Sequence, residues 1–254
     1  MQHYFIDQKL KLNEEIALPA DIYQHAVTVL RMKIGDQFEL VDADHKTFVV
    51  EICKMEGKSA AVKAIQELDT NNEMPLGISI ACGVPKNDKK ADLVIEKGTE
   101  MGAERFIFFP SQYAVGKWRP NKVERKLTRL QKKVRSAAEQ SHRNMVPQVE
   151  YIQGIDNLIK LPADYKIVAY EESAKQGEAS QLHQQLEMAK KDIKAGKRPS
   201  MLAVFGPEGG IAPKEIQKYK AAGFAVCGLG PRILRTESAP LYFLSAVSYA
   251  TELS

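Results

Sequence analysis

Two short blocks in the last third of the chain have the residue types and spacing of a ligand site. They are Phe205-Gly206-Pro207-Glu208-Gly209-Gly210 and Gly228-Leu229-Gly230-Pro231-Arg232-Ile233-Leu234-Arg235-Thr236-Glu237-Ser238-Ala239. Each follows an apolar run that reads as a strand, Met201–Phe205 and Phe224–Cys227. Strand ends that open into Gly-rich turns are where open α/β sheets bind small ligands. Glycine there lets backbone N–H and C=O groups approach a ligand closely. No Gly-Lys-Ser/Thr follows the first block, so it is not a phosphate-binding P-loop. No G-x-G-x-x-G stands between an N-terminal strand and a helix, so a dinucleotide fold is unsupported. Taken alone, the first block also fits a tight turn.

The elements that must position these turns follow from the pattern beyond Leu76. Strands are expected at 76–82, 104–109, 149–152, 166–170, 201–205 and 224–229, and helices at 88–101, 121–143, 178–195, 213–222 and 237–252. Alternating strand and helix means an α/β domain with a mainly parallel sheet. The last helix is apolar nearly all round, from Ala239 to Ala250, so it is expected to be buried within the protein or by a partner subunit.

Residues 1–70 read differently. Ile22, Ala26, Val29 and Leu30 recur at helical spacing between Pro19 and Leu30. Gln37–Asp42, Thr47–Cys53 and Ser59–Gln66 read as strands separated by turn residues, which suits a small barrel. The polar stretch 67–75, ending in Pro75, reads as an interdomain linker, so a second domain is expected over 74–254.

Hydrophobic residues make up 44% of the chain and charged residues 27%, which places it among soluble globular proteins. No apolar run is long enough to span a membrane, and Met1–Asp7 lacks a signal-peptide pattern. Cys53, Cys82 and Cys227 lie far apart in strand-like runs, which argues against a disulfide frame or a zinc site. They are expected as buried small hydrophobes in a reducing cytoplasm, and no metal is expected.

The net charge of +4 is unevenly spread. Residues 84–143 hold 15 Lys+Arg against 7 Asp+Glu, which suggests a polyanion-binding face. Nine of those cations, including Arg125, Arg129 and Lys132, fall in 117–135, where Glu124 alone opposes them. Val123, Leu127, Leu130 and Val134 form an apolar stripe, so the segment is an amphipathic helix with a basic outer face. Nucleic acid is the expected partner of that face, against the alternative of simple solvation. Lys86 and Lys89 are spaced like a phosphate clamp at a helix entry, or are solvated loop lysines. Arg31 is either an RNA contact or a solvated charge, and His25 reads as a helix-face histidine satisfied locally.

The two C-terminal blocks together resemble the ribosomal small-subunit methyltransferase E family. Those are SPOUT-class enzymes that methylate uridine N3 in 16S ribosomal RNA. Lys86–Gly102, Gln140–Arg143 and the block from His25 to Asp36 are similar to other parts of that family, so the resemblance covers nearly the whole chain. It departs at Ser238, where the family usually has threonine, and at His3, where the family often has an arginine.

The resemblance implies a PUA-like RNA-binding barrel over 1–70 and a SPOUT-like methyltransferase domain over 74–254. It implies a C-terminal trefoil knot, and a homodimer built on the last helix. The implied cofactor is S-adenosyl-L-methionine, held by Ala169, Tyr170 and Glu171, by Phe205, Gly206, Pro207, Glu208, Gly209 and Gly210, and by Leu229, Gly230, Arg232, Ile233, Leu234 and Thr236. Arg235 is the candidate for stabilising charge on the uracil oxygens. Glu237 either takes the N3 proton or caps the last helix. Arg143 is a candidate contact on the active-site side of the RNA. The substrate so implied is 16S rRNA, within the small ribosomal subunit. Two other readings compete: a SPOUT-type enzyme acting on another RNA, and a non-catalytic RNA-binding or assembly protein.

Overall fold

Alternating apolar residues build the first sheet. β4 (Thr47–Glu56) and β5 (Ser59–Leu68) pair antiparallel, with Val50 opposite Ala64 and Ile52 opposite Val62, all four buried. β3 (Gln37–Val41) flanks β4, and β1 (His3–Phe5) adds in parallel to β3 with His3 opposite Glu39. β2 (Glu15–Ala17) closes the other edge on β5, giving the order β1-β3-β4-β5-β2. Tyr4, Phe38, Leu40, Phe48 and Ile52 fill its core. In this computed structural model, residues 1–171 and 181–253 are described. The first unit comprises Met1–Glu73 together with Ala138–Val146.

The helix expected over 19–30 is present in two parts. A short α1 (Ala20–Tyr23) runs into a π-helical turn, Gln24–Val29, that buries Ala26. The His25 ring is satisfied locally by the Tyr4 hydroxyl, 2.9 Å away. Residues 67–73 of the stretch expected as a linker are built into the unit. β5 extends to Leu68, and Glu73 accepts hydrogen bonds from Arg143 Nε and from the Asn144 N–H.

The second unit, Met74–Ala137 with Pro147–Ser254, carries a six-stranded sheet in the order β11-β9-β10-β6-β7-β8. These are β6 (Gly77–Gly83), β7 (Arg105–Phe109), β8 (Gln148–Tyr151), β9 (Tyr165–Ala169), β10 (Ser200–Phe205) and β11 (Ala225–Cys227), and every pairing is parallel. Such strands are covered on both faces, and so β10 reads as a continuous apolar run. The helices are α2 (Asp88–Glu100), α3 (Pro120–Gln140), the short α4 (Ile155–Leu158), α5 (Gln181–Lys194), α6 (Pro213–Ala221) and α7 (Ser238–Glu252). Residues 178–180 of the helix expected over 178–195 lie outside the described residues.

β6, β7 and β8 step outward on one side of the sheet, and β10, β9 and β11 lie on the other. The strand order therefore reverses between β6 and β10, which is where open α/β sheets form a crevice at their carboxyl ends. α7 buries one stripe, Phe243, Leu244 and Val247, and exposes Tyr242 and Tyr249, with Leu253 exposed just past its end. Of the cysteines, all free, Cys82 and Cys227 are buried and Cys53 is half-buried. Burial pushes the Cys82 thiol up to about 12, which leaves it unreactive.

Candidate functional site

Three neighbouring strands, β11, β9 and β10, end beside one another. The turns that leave them line one cavity of ≈ 1050 Å³. Ala169, Tyr170 and Glu171 come from the first turn, and Phe205 through Ile211 from the second. Leu229 through Thr236 supply the third. All the residues expected to hold a cofactor are thus brought to one place, together with Arg235. The walls mix apolar side chains with Gly-rich backbone.

The turns are fastened to each other by specific bonds. Thr236 Oγ1 donates to the Gly206 carbonyl at 2.9 Å, so its hydroxyl joins the third turn to the second. Gly210 takes φ 75°, a left-handed conformation that side chains resist. Gly209 is glycine for a different reason. A Cβ there would lie 2.7 Å from the Tyr113 carbonyl oxygen and 2.9 Å from Tyr113 Cβ. The sequence pointed to close approach of a ligand; the structure shows close approach of the loop after β7. That loop is itself anchored by buried Glu215, which accepts from Ser111 Oγ, the Gln112 N–H and the Ala212 N–H.

Charge enters the cavity from α2. Lys90 Nζ lies 3.0 Å from Glu208 and 3.1 Å from Glu237, bridging the second and third turns. The hydrogen bond to Glu208 holds the Lys90 ammonium above its usual range, although burial works against it. Burial alone would push the Glu208 carboxyl up. Hydrogen bonds from Lys90 and from backbone N–H groups, including that of Lys86, outweigh it and hold the carboxyl low. Glu237 stands at the N-terminal cap position of α7 but makes no side-chain cap hydrogen bond. The Arg235 carbonyl accepts instead from the Ser238 and Ala239 N–H groups. The Arg235 side chain is exposed at the cavity and makes no ion pair among the described residues.

The basic helix needs correction. α3 itself carries seven of the nine cations, and Glu124 is not alone against them, because α2 sets a row of acids beside it. Lys126 pairs with Asp88, Arg129 with Asp92 at 2.8 Å, and Lys133 with Asp92 and Glu96. Burial would raise the Asp92 carboxyl, but Arg129 and Lys133 hold it low. Arg125 and Lys132 project outward, exposed and without an ion pair among the described residues. Arg143 also has another place: its side chain is 2% exposed and pairs with Glu73. It therefore presents no guanidinium to an incoming strand. Lys86 and Lys89 are exposed at the entry of α2, and Arg31 is exposed in a left-handed conformation with φ 60°.

Sequence reasoning missed Lys90, Tyr113 and Glu215. Lys90 had a signal, since it follows the two lysines singled out and stands in the first turn of α2. Glu215 had a weaker one, three residues after Ala212 at the start of α6.

Comparison with known proteins adds independent findings. An RNA methyltransferase domain family matches residues 72–248, and an RNA methyltransferase PUA domain family matches residues 18–65. The chain is 39% identical to ribosomal RNA small subunit methyltransferase E of Bacillus subtilis, over all of this chain and 98% of that protein. It is 32% identical to the protein of the same name from Mycobacterium bovis, over 89% of this chain and 83% of the other. Among solved structures it resembles ribosomal RNA small subunit methyltransferase E of Neisseria gonorrhoeae bound to S-adenosyl methionine. That match has a TM-score of 0.82 at 28% identity, over 98% of this chain and 97% of that one. It also resembles a Legionella pneumophila methyltransferase in complex with the same cofactor, with a TM-score of 0.81 at 25% identity, over 98% and 97% of the two chains.

Proposed function

This chain belongs to the ribosomal RNA small subunit methyltransferase E family, and we propose that it transfers a methyl group from S-adenosylmethionine to N3 of a uridine in 16S rRNA. The observation that carries this reading is the convergence of three strand-end turns on one cavity. Backbone N–H and C=O groups of Gly-rich turns suit an adenine edge, and the apolar walls suit its faces. S-adenosylmethionine supplies the electrophilic methyl group when bound. The chain's own residues orient it and manage charge. Lys90 ties Glu208 and Glu237 together, which fixes the second and third turns as one wall. Arg235 faces the uracil ring from the cavity rim and stabilises negative charge on its oxygens as N3 loses a proton. Glu237, next in sequence to the cavity-lining Thr236, is the carboxylate assigned here to receive that proton. Much of the rate comes from holding N3 in line with the methyl group.

The RNA approaches the exposed cations Arg125, Lys132, Lys86 and Lys89, and the PUA-like unit contributes Arg31. The target uridine must be unpaired, or turned outward, to offer N3. The polypeptide of the third turn forms the trefoil knot that the SPOUT resemblance implies. The protein acts as a homodimer in the cytoplasm, with the exposed Tyr242 and Tyr249 of α7 and Leu253 at its end covered by its partner. No helix among the described residues is long and apolar enough to cross a membrane. Incubation with labelled S-adenosylmethionine and unmethylated small-subunit RNA, followed by nucleoside mass spectrometry, tests this function. Label in 3-methyluridine supports it. Label in another nucleoside, or in transfer RNA only, assigns a different substrate, and cofactor-free RNA binding assigns an assembly role.

A further inference from the structure

Away from the cavity, in the first unit, three side chains far apart in sequence meet at one point. His3 on β1 and Glu39 on β3 stand opposite each other in the parallel register. His142 follows α3 in the segment that returns to this unit. His3 Nδ1 lies 2.8 Å from Glu39 Oε2, and His142 Nδ1 lies 2.9 Å from the same oxygen. The three ligand-type atoms lie within 4.8 Å of one another.

The hydrogen-bond inventory at His3 makes this arrangement unusual. Its Nε2 lies 2.8 Å from the Arg143 carbonyl oxygen, which can only accept, so Nε2 carries a hydrogen. In the neutral ring the lone pair is then on Nδ1, aimed at a carboxylate oxygen. Two acceptors cannot face each other at that distance, so a proton or a metal ion lies between them, and His142 supplies a third ligand atom for a metal. A ring N–H bonded to a backbone carbonyl, with the other nitrogen free, is also how metal-bound histidines are oriented.

His142 adds a second observation. It takes φ 53° at the end of α3, where its N–H bonds back to Glu139 and the Arg143 N–H to Ala138. Helix ends of this kind usually place glycine there. A histidine in this conformation is strained, and strained residues cluster at functional sites. The side chain of His3 is 2% exposed and that of His142 40% exposed, so one ligand is fixed while water reaches the other.

We propose that His3, Glu39 and His142 bind one divalent first-row transition-metal ion. The two-histidine, one-carboxylate set suits such ions. The ion is open to solvent on the side of His142. It fastens residues 138–146 to the β1–β3 edge of the sheet and acts as a structural clip. The methyl-transfer chemistry does not use it.

The test is calorimetric titration of the chelator-treated full-length protein with Zn2+, beside thermal unfolding with and without the ion. His142→Gly removes one ligand while relaxing the left-handed backbone, so the variant folds. His45→Gly is the matched control, because His45 has φ 64° and lies outside the cluster. The wild type and His45→Gly should bind one equivalent, with affinity on the order of 100-fold above that of His142→Gly. Zn2+ should raise Tm in the first two proteins only. Absence of binding by the wild type, or retention of it in His142→Gly, would overturn the assignment.

Discussion

Gly209→Ala distinguishes packing from ligand contact at the cavity wall. The added Cβ would sit 2.7 Å from the Tyr113 carbonyl oxygen, where ordinary contact begins at 3.4 Å. The two segments must separate by about 0.7 Å to restore ordinary contact. The Tyr113 side is held by Glu215 through Ser111 and Gln112, so the turn carrying Gly209 yields. Gly209 is not in the left-handed region, and no backbone strain adds to the clash. Overpacking of this kind costs about 1–3 kcal/mol. Part of that lowers stability and part displaces the second turn. At about 1.4 kcal/mol per decade, affinity for S-adenosylmethionine should fall by about 5- to 100-fold, with a lower Tm. Gly210→Ala is the comparison, because its Cβ meets nothing within 4 Å and only φ 75° opposes it. Calorimetry and thermal melting on the same samples give both quantities. If Gly209→Ala binds within twofold of wild type at unchanged Tm, the packing argument is wrong. If affinity falls while Tm stays fixed, the glycine serves the ligand directly, as the sequence first suggested.

Arg235→Ala should lower single-turnover methyl transfer by about two to three orders of magnitude with melting unchanged, and Lys should rescue poorly for lack of a planar fork; normal transfer would remove Arg235 from the mechanism. Arg129→Gln should cost about 1–3 kcal/mol of stability by leaving the Asp92 carboxylate without its first partner, whereas Arg125→Gln with Lys132→Gln should leave melting intact and flatten the salt dependence of RNA binding by about 0.7 to 0.9 counterion per contact. The reverse pattern would make Arg129 the RNA contact. The Lys90–Glu208 pair predicts two limbs in a profile of stability against pH. The depressed Glu208 carboxyl contributes above its ordinary carboxylate range and loses that contribution as pH falls through its lower folded value. The raised Lys90 ammonium contributes below its ordinary 10.5 and loses it as pH rises through its higher folded value. Lys90→Met should weaken both limbs, and an unchanged profile would show that the pair does not stabilise the wall.

The cavity was legible because its chemistry is local. Met201–Phe205 is a continuous apolar strand, and the glycines that follow it mark the turn without any tertiary information. The charge pairing of α3 was legible in principle and overlooked in practice. Asp88, Asp92 and Glu96 recur every four residues on one face of α2, and reading the basic helix by itself hid its acidic neighbour. β1 and β2 have three residues each, too few for a period to show. The meeting of His3, Glu39 and His142 depends on a parallel pairing and on residues 138–146 returning to the first unit. No spacing rule within one segment reports either. α7 looked apolar on every side because aromatic residues occupy its outer face, so composition alone could not separate Phe243, which is buried, from Tyr242 and Tyr249, which are exposed.

The most direct measurement of the central claim compares 16S rRNA from cells with and without this protein, digested and analysed by mass spectrometry for 3-methyluridine. One site should carry the methyl group only when the protein is present. That site should be restored in purified small subunits by the wild-type chain and S-adenosylmethionine, and restored far more slowly by Arg235→Ala. An rRNA methylation pattern that is identical with and without the protein would show that the chain does not methylate 16S rRNA.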